Sequence, residues 1–317
     1  MRRMLSIIGA RMGQLVIMVF VLSLATFVLM KVTPGDPIRS ILNVDEIATT
    51  TAEEEQLLKE YGFDQPLLTQ YTQWLKGVVQ LDLGLSMISS EPVLGMIMSR
   101  LPATLALTAG GFMVLLCITV PLGLVGALYE GRWPDYVTRW IALLGASIPS
   151  FWLGLLFIYF FSLKLNLLPV MGMGSIEHYI LPSVTLGMAM APMYIRLLRE
   201  RLITTLQSSY IEAARARGLR ESTILFGHAL KGSLMSVVTL FGLSMGSLLG
   251  GITVIEMLFS WPGMGELIVQ AVMDRDYPVI QGYILIVGCL VVLINLVVDL
   301  TYGLLNPEIQ HGKEWAS

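Results

Sequence analysis

Few side chains in this sequence could do chemistry, and their placement excludes most of the chemistry open to them. His178, His228 and His311 stand far apart, in loops or at the tail, without the spacing of metal ligands. Cys117 and Cys289 both fall inside apolar runs, so neither a disulfide framework nor a zinc site is indicated, and both read as small buried hydrophobes. No G-x-x-x-x-G-K-[ST] phosphate loop occurs, so the chain does not bind ATP by that route. A hydrolase acting within a bilayer would need a nucleophile and a base there, and no apolar segment carries a histidine. A proton- or sodium-coupled carrier would bury carboxylates in mid-membrane. The two carboxylates in or beside apolar segments, Glu256 and Asp299, lie near the ends of theirs and read as interfacial or packing residues. Met171, Met173, Met188, Met190 and Met193 could line a soft-metal path, but adaptable apolar filler accounts for them.

What remains is a basic loop, Ser209-Tyr210-Ile211-Glu212-Ala213-Ala214-Arg215-Ala216-Arg217-Gly218-Leu219-Arg220. Ser209 can cap a helix start, with Glu212 completing a capping box. Arg215 and Arg217 then fall in the last turn, where cations suit the helix dipole, and Gly218 stands where a left-handed cap is wanted. A second short helix is expected from a Ser222 cap to near Gly232. Such a charged helical hairpin suits the docking of a soluble partner. A helix lying among phospholipid headgroups would look the same from these residues alone.

The elements that must hold this loop are membrane spans. Of 317 residues, 55% are hydrophobic and 14% charged, a polytopic membrane composition. The net charge of -3 gives no argument for a nucleic-acid partner. The apolar run 13–30 follows Arg2, Arg3 and Arg11 but is long for a signal peptide and ends in Lys31 and Thr33-Pro34-Gly35-Asp36-Pro37, so it reads as a retained first span. Residues 33–100 are polar, with Asp45, Glu46, Glu53, Glu54, Glu55, Glu60 and Asp64 in the first half. A Thr51–Glu54 capping box opens one helix there, and Leu67, Tyr71, Trp74, Leu75 and Val78 mark a second after Pro66. Further spans are expected at Leu101–Leu128, Trp140–Leu163, Tyr179–Leu198, Leu234–Ile255 and Val279–Leu304, the fourth interrupted by Pro182, Gly187 and Pro192. Gly242, Gly246 and Gly250 give the fifth a close-packing face.

The fold class is therefore an all-α membrane protein of about six transmembrane helices with a small external helical insertion between the first and second. It divides as 1–32, 33–100 and 101–317, the last containing the loop at about 199–233. Arginines collect before the first span (Arg2, Arg3, Arg11), after the second (Arg132, Arg139) and between the fourth and fifth (Arg196, Arg199, Arg201, Arg215, Arg217, Arg220). The positive-inside rule places both termini and the loop in the cytoplasm and the insertion outside.

Glu212-Ala213-Ala214 followed by Gly218 resembles the EAA loop of ABC importer permeases. The resemblance extends over nearly the whole chain, to the first permease subunit of importers of the dipeptide, oligopeptide and nickel group. It is carried by Pro34-Gly35-Asp36-Pro37, Leu101-Pro102-Ala103-Thr104, Ser147-Ile148-Pro149-Ser150-Phe151-Trp152-Leu153 and Ile180-Leu181-Pro182. His228-Ala229-Leu230-Lys231, Glu256, Phe259-Ser260-Trp261-Pro262-Gly263-Met264-Gly265 and Asp276-Tyr277-Pro278-Val279 continue it. Gly232 and Met235-Ser236 depart from the Asn and Leu-Pro usual beyond the loop.

The resemblance implies a non-catalytic subunit of the bacterial or archaeal plasma (inner) membrane, beside a second homologous permease and membrane lipids. Two ABC ATPase subunits would use ATP and Mg, this chain binding no cofactor and no metal, and an extracytoplasmic substrate-binding protein would deliver substrate. It implies that Glu212, Ala213, Ala214, Arg215 and Gly218 form the coupling helix seated on an ATPase. It places contact with the binding protein at Trp261, Pro262, Gly263, Asp276 and Tyr277. Leu168-Pro169-Val170-Met171-Gly172-Met173-Gly174 with His178 looks like nickel or metal-chelate members, toward which the reading leans, while the other motifs fit peptide members equally. A stand-alone secondary carrier or channel and, more remotely, an intramembrane enzyme are the competing classes.

Overall fold

The computed structural model describes residues 2–32 and 64–305. Among these the regular elements are helices, apart from one isolated β-bridge between Leu85 and Pro92. In chain order they are α1 (Arg2–Val32), α2 (Leu67–Val79), α3 (Val93–Leu128), α4 (Trp133–Ser147) and α5 (Ser150–Phe157), which runs into a π-helical turn at Ile158–Lys164. There follow α6 (Ile176–Leu206), α7 (Ser209–Ala216), α8 (Glu221–Thr223), a second π turn at Ile224–Ala229, α9 (Leu230–Leu258), α10 (Met264–Met273) and α11 (Tyr277–Leu305). The Thr51–Glu54 helix, Pro34-Gly35-Asp36-Pro37 and His311 lie outside the described residues, as do the side chains of Gly246, Gly250 and Asp299.

Among the described residues, four helical stretches have the length and hydropathy to cross a bilayer: Val93–Leu128, Ile176–Leu206, Glu221–Gly242 and Tyr277–Val298. The described apolar stretch of α1, Met12–Val28, is shorter than these.

The expected third span is not straight. Its two halves, Trp133–Ser147 and Ser150–Lys164, meet at 97° and make a fifth span only if counted together. The cause is local: Ile148 is extended (φ -93°, ψ 120°) because the ring of Pro149 disfavours a helical conformation in the residue before it. The fourth span departs the other way. Pro182 and Pro192 sit inside one continuous helix, α6, rather than interrupting it. A proline within a helix frees a carbonyl, which buried neighbours can re-satisfy. The ring of Pro192 needs room, and Gly145 of α4 supplies it: a Cβ there would lie 2.9 Å from Pro192 Cγ.

The chain divides into two compact units. One comprises Met1–Ala103 with Gly263–Leu293. Its core gathers Leu83, Val93, Ile97, Met264, Leu267, Val279 and Tyr283. The helix expected after Pro66 forms as α2, and it packs on α1 through Tyr71, whose hydroxyl lies 3.0 Å from Ser23 Oγ and whose ring meets Phe27 at 5.3 Å. The other unit comprises Thr104–Pro262 with Ile294–Ser317. Its core is built on α6, with Ala191, Tyr194, Ile195, Leu198 and Leu202 buried beside Leu115, Ala142 and Val237. More than half of the apolar window of α6 (56%) is buried, against 33% or less for the other three spans, so α6 is the helix around which this unit is packed.

Glycines let α3 and α6 approach this closely. A Cβ on Gly187 would lie 2.6 Å from Val114 Cβ and 2.7 Å from the carbonyl oxygen of Gly111, and one on Gly123 would meet Leu198 at 2.9 Å. Small residues that admit a neighbouring backbone are the usual means of helix association in lipid. Gly242 does the same for α9 against Val298, at 2.5 Å. Gly187→Ala is therefore expected to destabilise the protein by about 1–3 kcal/mol, because a backbone carbonyl cannot rotate out of the way. Gly232→Ala, inside α9 with nothing within 4 Å, is expected to raise stability by about 0.5–1 kcal/mol. Thermal unfolding of the two detergent-solubilised variants beside the parent chain checks this contrast.

Candidate functional site

The basic loop is a helix, its cap one residue from the expected place. α7 starts after Ser208, not Ser209, and the Ser208 carbonyl accepts the N–H groups of Ile211 (3.1 Å) and Glu212 (3.2 Å). The Ser208 hydroxyl turns back to donate to Thr205 O at 2.5 Å, so the expected Ser209–Glu212 capping box is absent. The displacement has a consequence: Glu212 has no side-chain hydrogen bond or ion pair among the described residues, and it is exposed.

The end of α7 follows expectation. Gly218 takes φ +81°, its N–H donates to Arg215 O (2.9 Å), and the N–H of Leu219 donates to Ala214 O (3.3 Å). This pair of bonds is a Schellman motif, satisfying carbonyls the helix leaves open. Glycine is needed because a left-handed residue with a side chain costs about 1–2 kcal/mol.

Beyond Gly218 the expected second short helix, Ser222 to Gly232, does not exist as a separate element. Arg220 precedes α8, and the chain runs through the π turn into α9 with Gly232 inside that helix. The loop is thus one exposed helix hung between the end of α6 and the start of a long span.

Two anchors hold it. Ile211 is fully buried on the inner face of α7, as are Ile224 and Ala229 in the π turn that α7 packs against. Arg215, though exposed, folds back along the loop: its Nε donates to Glu221 Oε1 at 2.8 Å, and its terminal nitrogens reach Glu221 Oε2 (3.3 Å) and Leu206 O (3.4 Å). The carboxylate of Glu221 raises the guanidinium pKa above its ordinary value, so the charge persists throughout the physiological range. Of the five expected coupling residues, Glu212, Ala213 and Gly218 are exposed and Ala214 is half-buried. Arg215, though exposed, is a clamp within the loop.

The five expected docking residues present little surface. Trp261 is fully buried, its indole edge-on to Tyr179 (centroids 4.4 Å, 80°) and its backbone N–H donating to Glu256 O at 2.8 Å. Pro262 is half-buried and Gly263 buried, where it precedes α10. Asp276 is buried, accepting the Ser86 hydroxyl at 2.5 Å and the Met87 N–H at 3.2 Å, and so pins the turn before α3 to the start of α11. Tyr277 is buried as well. Packed this way, these side chains offer little surface to a docked protein. Exposed in the same stretch are Met273 (79%), Val272, Asp274 and Arg275.

Sequence reasoning missed one polar centre. Asp135 is fully buried and bridged by Arg199 through Nε (2.6 Å) and a terminal nitrogen (2.8 Å), with Arg139 at 3.4 Å and Gly131 N–H at 3.0 Å. The Arg139 spacing was legible as an i, i+4 pair. Arg199, 64 residues away, had no local signal. Glu256 is also fully buried and accepts the Thr104 hydroxyl at 2.6 Å, a packing role rather than an interfacial one.

Residues 119–311 match the family model described as "Binding-protein-dependent transport system inner membrane component", and residues 4–108 match its N-terminal companion. The chain belongs to that family. It is 40% identical over 308 residues to the glutathione transport system permease protein GsiC of Escherichia coli strain K12, covering 97% of this chain and 100% of that one. The same figures hold for its namesake in Shigella dysenteriae serotype 1. A solved inward-facing structure of the MetNI methionine ABC transporter superposes with a TM-score of 0.54 over 68% of this chain and 99% of that one. At 21% identity this likeness shows the fold alone. The chain is a multi-pass inner-membrane permease subunit of an ABC importer, a transport component that works with an ATPase and a substrate-binding protein.

In this permease the loop's rigidity rests on the Arg215 clamp. Arg215→Ala and Glu221→Ala are each expected to speed amide hydrogen exchange across 209–219, with the double variant no faster than either alone. Additive effects of the two substitutions would mean that the ion pair does not hold the loop.

Proposed function

We propose that this chain is one of two homologous permease subunits of an importer, coupled through α7 to one of a pair of ATPase subunits in the cytoplasm. The observation that carries the coupling reading is an exposed eight-residue helix, Ser209–Ala216, fixed at both ends to long helices while the Glu212 carboxylate stays uncommitted. A groove closing on ATP binding would move such a helix as a rigid lever. The positive-inside distribution supports a cytoplasmic loop and termini. On that orientation, docking of an extracytoplasmic binding protein falls to the exposed end of α10, Met273, Asp274 and Arg275, in place of the buried residues beside them. The chain itself is non-catalytic and binds no cofactor, ATP and Mg being used by the partner subunits.

For substrate we propose a short peptide. Full-length likeness to glutathione permeases supports it. So does the fate of the residues that suggested nickel. His178 Nδ1 faces its own helix start, 2.9 Å from Ser175 Oγ, and Met171 Sδ accepts the Ser260 hydroxyl at 3.6 Å, both packing or capping roles.

Glu212→Arg is expected to leave membrane insertion intact and abolish both uptake and substrate-stimulated ATP hydrolysis in the reconstituted importer. Full uptake by that variant would refute the coupling role. Paired uptake of labelled glutathione or dipeptide and of trace nickel, in cells lacking and regaining the gene, tests the substrate. Loss of peptide alone is the expected result, and loss of nickel alone would overturn it.

A further inference from the structure

A cleft of about 390 Å³ opens between α4 and α6 in the second unit. Arg139, Arg196 and Arg199 line it together with Ala142, Leu143 and Ala146. Glu200 is at its rim. Arg199 is committed to Asp135, and Arg139 shares that same carboxylate at 3.4 Å. Arg196 is exposed and has no hydrogen-bond or ion-pair partner among the described residues. Arg199 has Asp135, Glu130 and Glu200 about it, so the guanidinium of the cleft left without a carboxylate of its own is Arg196.

Its surroundings set its depth. Tyr129, Trp133, Tyr136 and Trp140 are all exposed around the end of α3 and the first turns of α4, beside Arg139. Exposed tryptophan and tyrosine in a membrane protein mark the headgroup level. Further along α4 the exposed side chains are Ile141, Leu143 and Leu144, which suit acyl chains. A guanidinium without a carboxylate, an apolar wall and an aromatic border together suit a glycerophospholipid.

We propose that this cleft is a binding site for an anionic phospholipid, its phosphate held between Arg139 and Arg196 and its acyl chains along Ala142, Leu143 and Ala146. The site needs no assumption about coupling or substrate. A carboxylate of the second permease subunit is the competing occupant of the same charge.

The test uses the purified, assembled importer in detergent, titrated with brominated phosphatidylglycerol while tryptophan fluorescence is followed. Saturable quenching is expected, weaker with brominated phosphatidylcholine and reduced in Trp140→Phe. Arg196→Gln, an exposed and unpaired position whose loss spares folding, is expected to raise the half-saturation concentration about fivefold, the worth of one arginine near an anionic lipid. Equal quenching by the two lipids, or no effect of Arg196→Gln, would overturn the proposal. Complete displacement by millimolar inorganic phosphate would overturn it in favour of a small soluble anion. An Arg196→Cys chain that cross-links to the second permease subunit would overturn it in favour of a protein contact.

Discussion

The distance between α3 and α6 is the constraint on which the second unit depends. Gly111, Gly123 and Gly187 bring two long helices so close that a single methyl group at any of them would meet side chain or backbone within 2.9 Å. That approach buries the central stretch of α6, and burial in turn dictates what polar groups near it must do. Thr185 returns its hydroxyl to Leu181 O at 2.7 Å. At the other end of the helix, Asp135 can stay ionised away from water only because Arg199 grips both its oxygens and Gly131 donates to it. Removing one partner from such a pair leaves an uncompensated buried charge, which is the costly event.

The loop that follows α6 inherits this rigidity. Only Gln207 and Ser208 separate α6 from α7, and Arg215 reaches back to the last turn of α6 while holding Glu221 at the start of the next helix. Three elements therefore meet at one guanidinium. The fixed placement of α7 is a property of the junction, since eight residues are too few to make a stable helix alone.

What the sequence disclosed and concealed follows from the range of the forces involved. Long apolar runs and the Gly218 cap depend on neighbours in the chain, and they were legible at their true places. The junction after Thr205 turned on one hydrogen-bond choice by Ser208, which propensity does not resolve, and the helix start moved by one residue. The bend at Ile148 was written in Pro149, yet the apolar composition on both sides concealed it as a single span. Pro182 and Pro192 misled in the opposite sense, because the room that tolerates Pro192 comes from Gly145, on another helix. Trp261, Asp276 and Tyr277 sit in a stretch that looks like surface loop, and their burial is set by partners such as Tyr179 and Ser86, distant in sequence.

The Schellman turn at Gly218 has a consequence for genetics. Its φ of +81° taxes every replacement before any partner is considered, although nothing lies within 4 Å of where a Cβ would stand. A loss-of-function allele at 218 thus reports the shape of the chain and says nothing about contact. Glu212 occupies an ordinary helical position, exposed and outside any ion pair among the described residues, so an allele there carries no such backbone cost. Second-site suppressors of an allele at 218 should therefore arise within this loop.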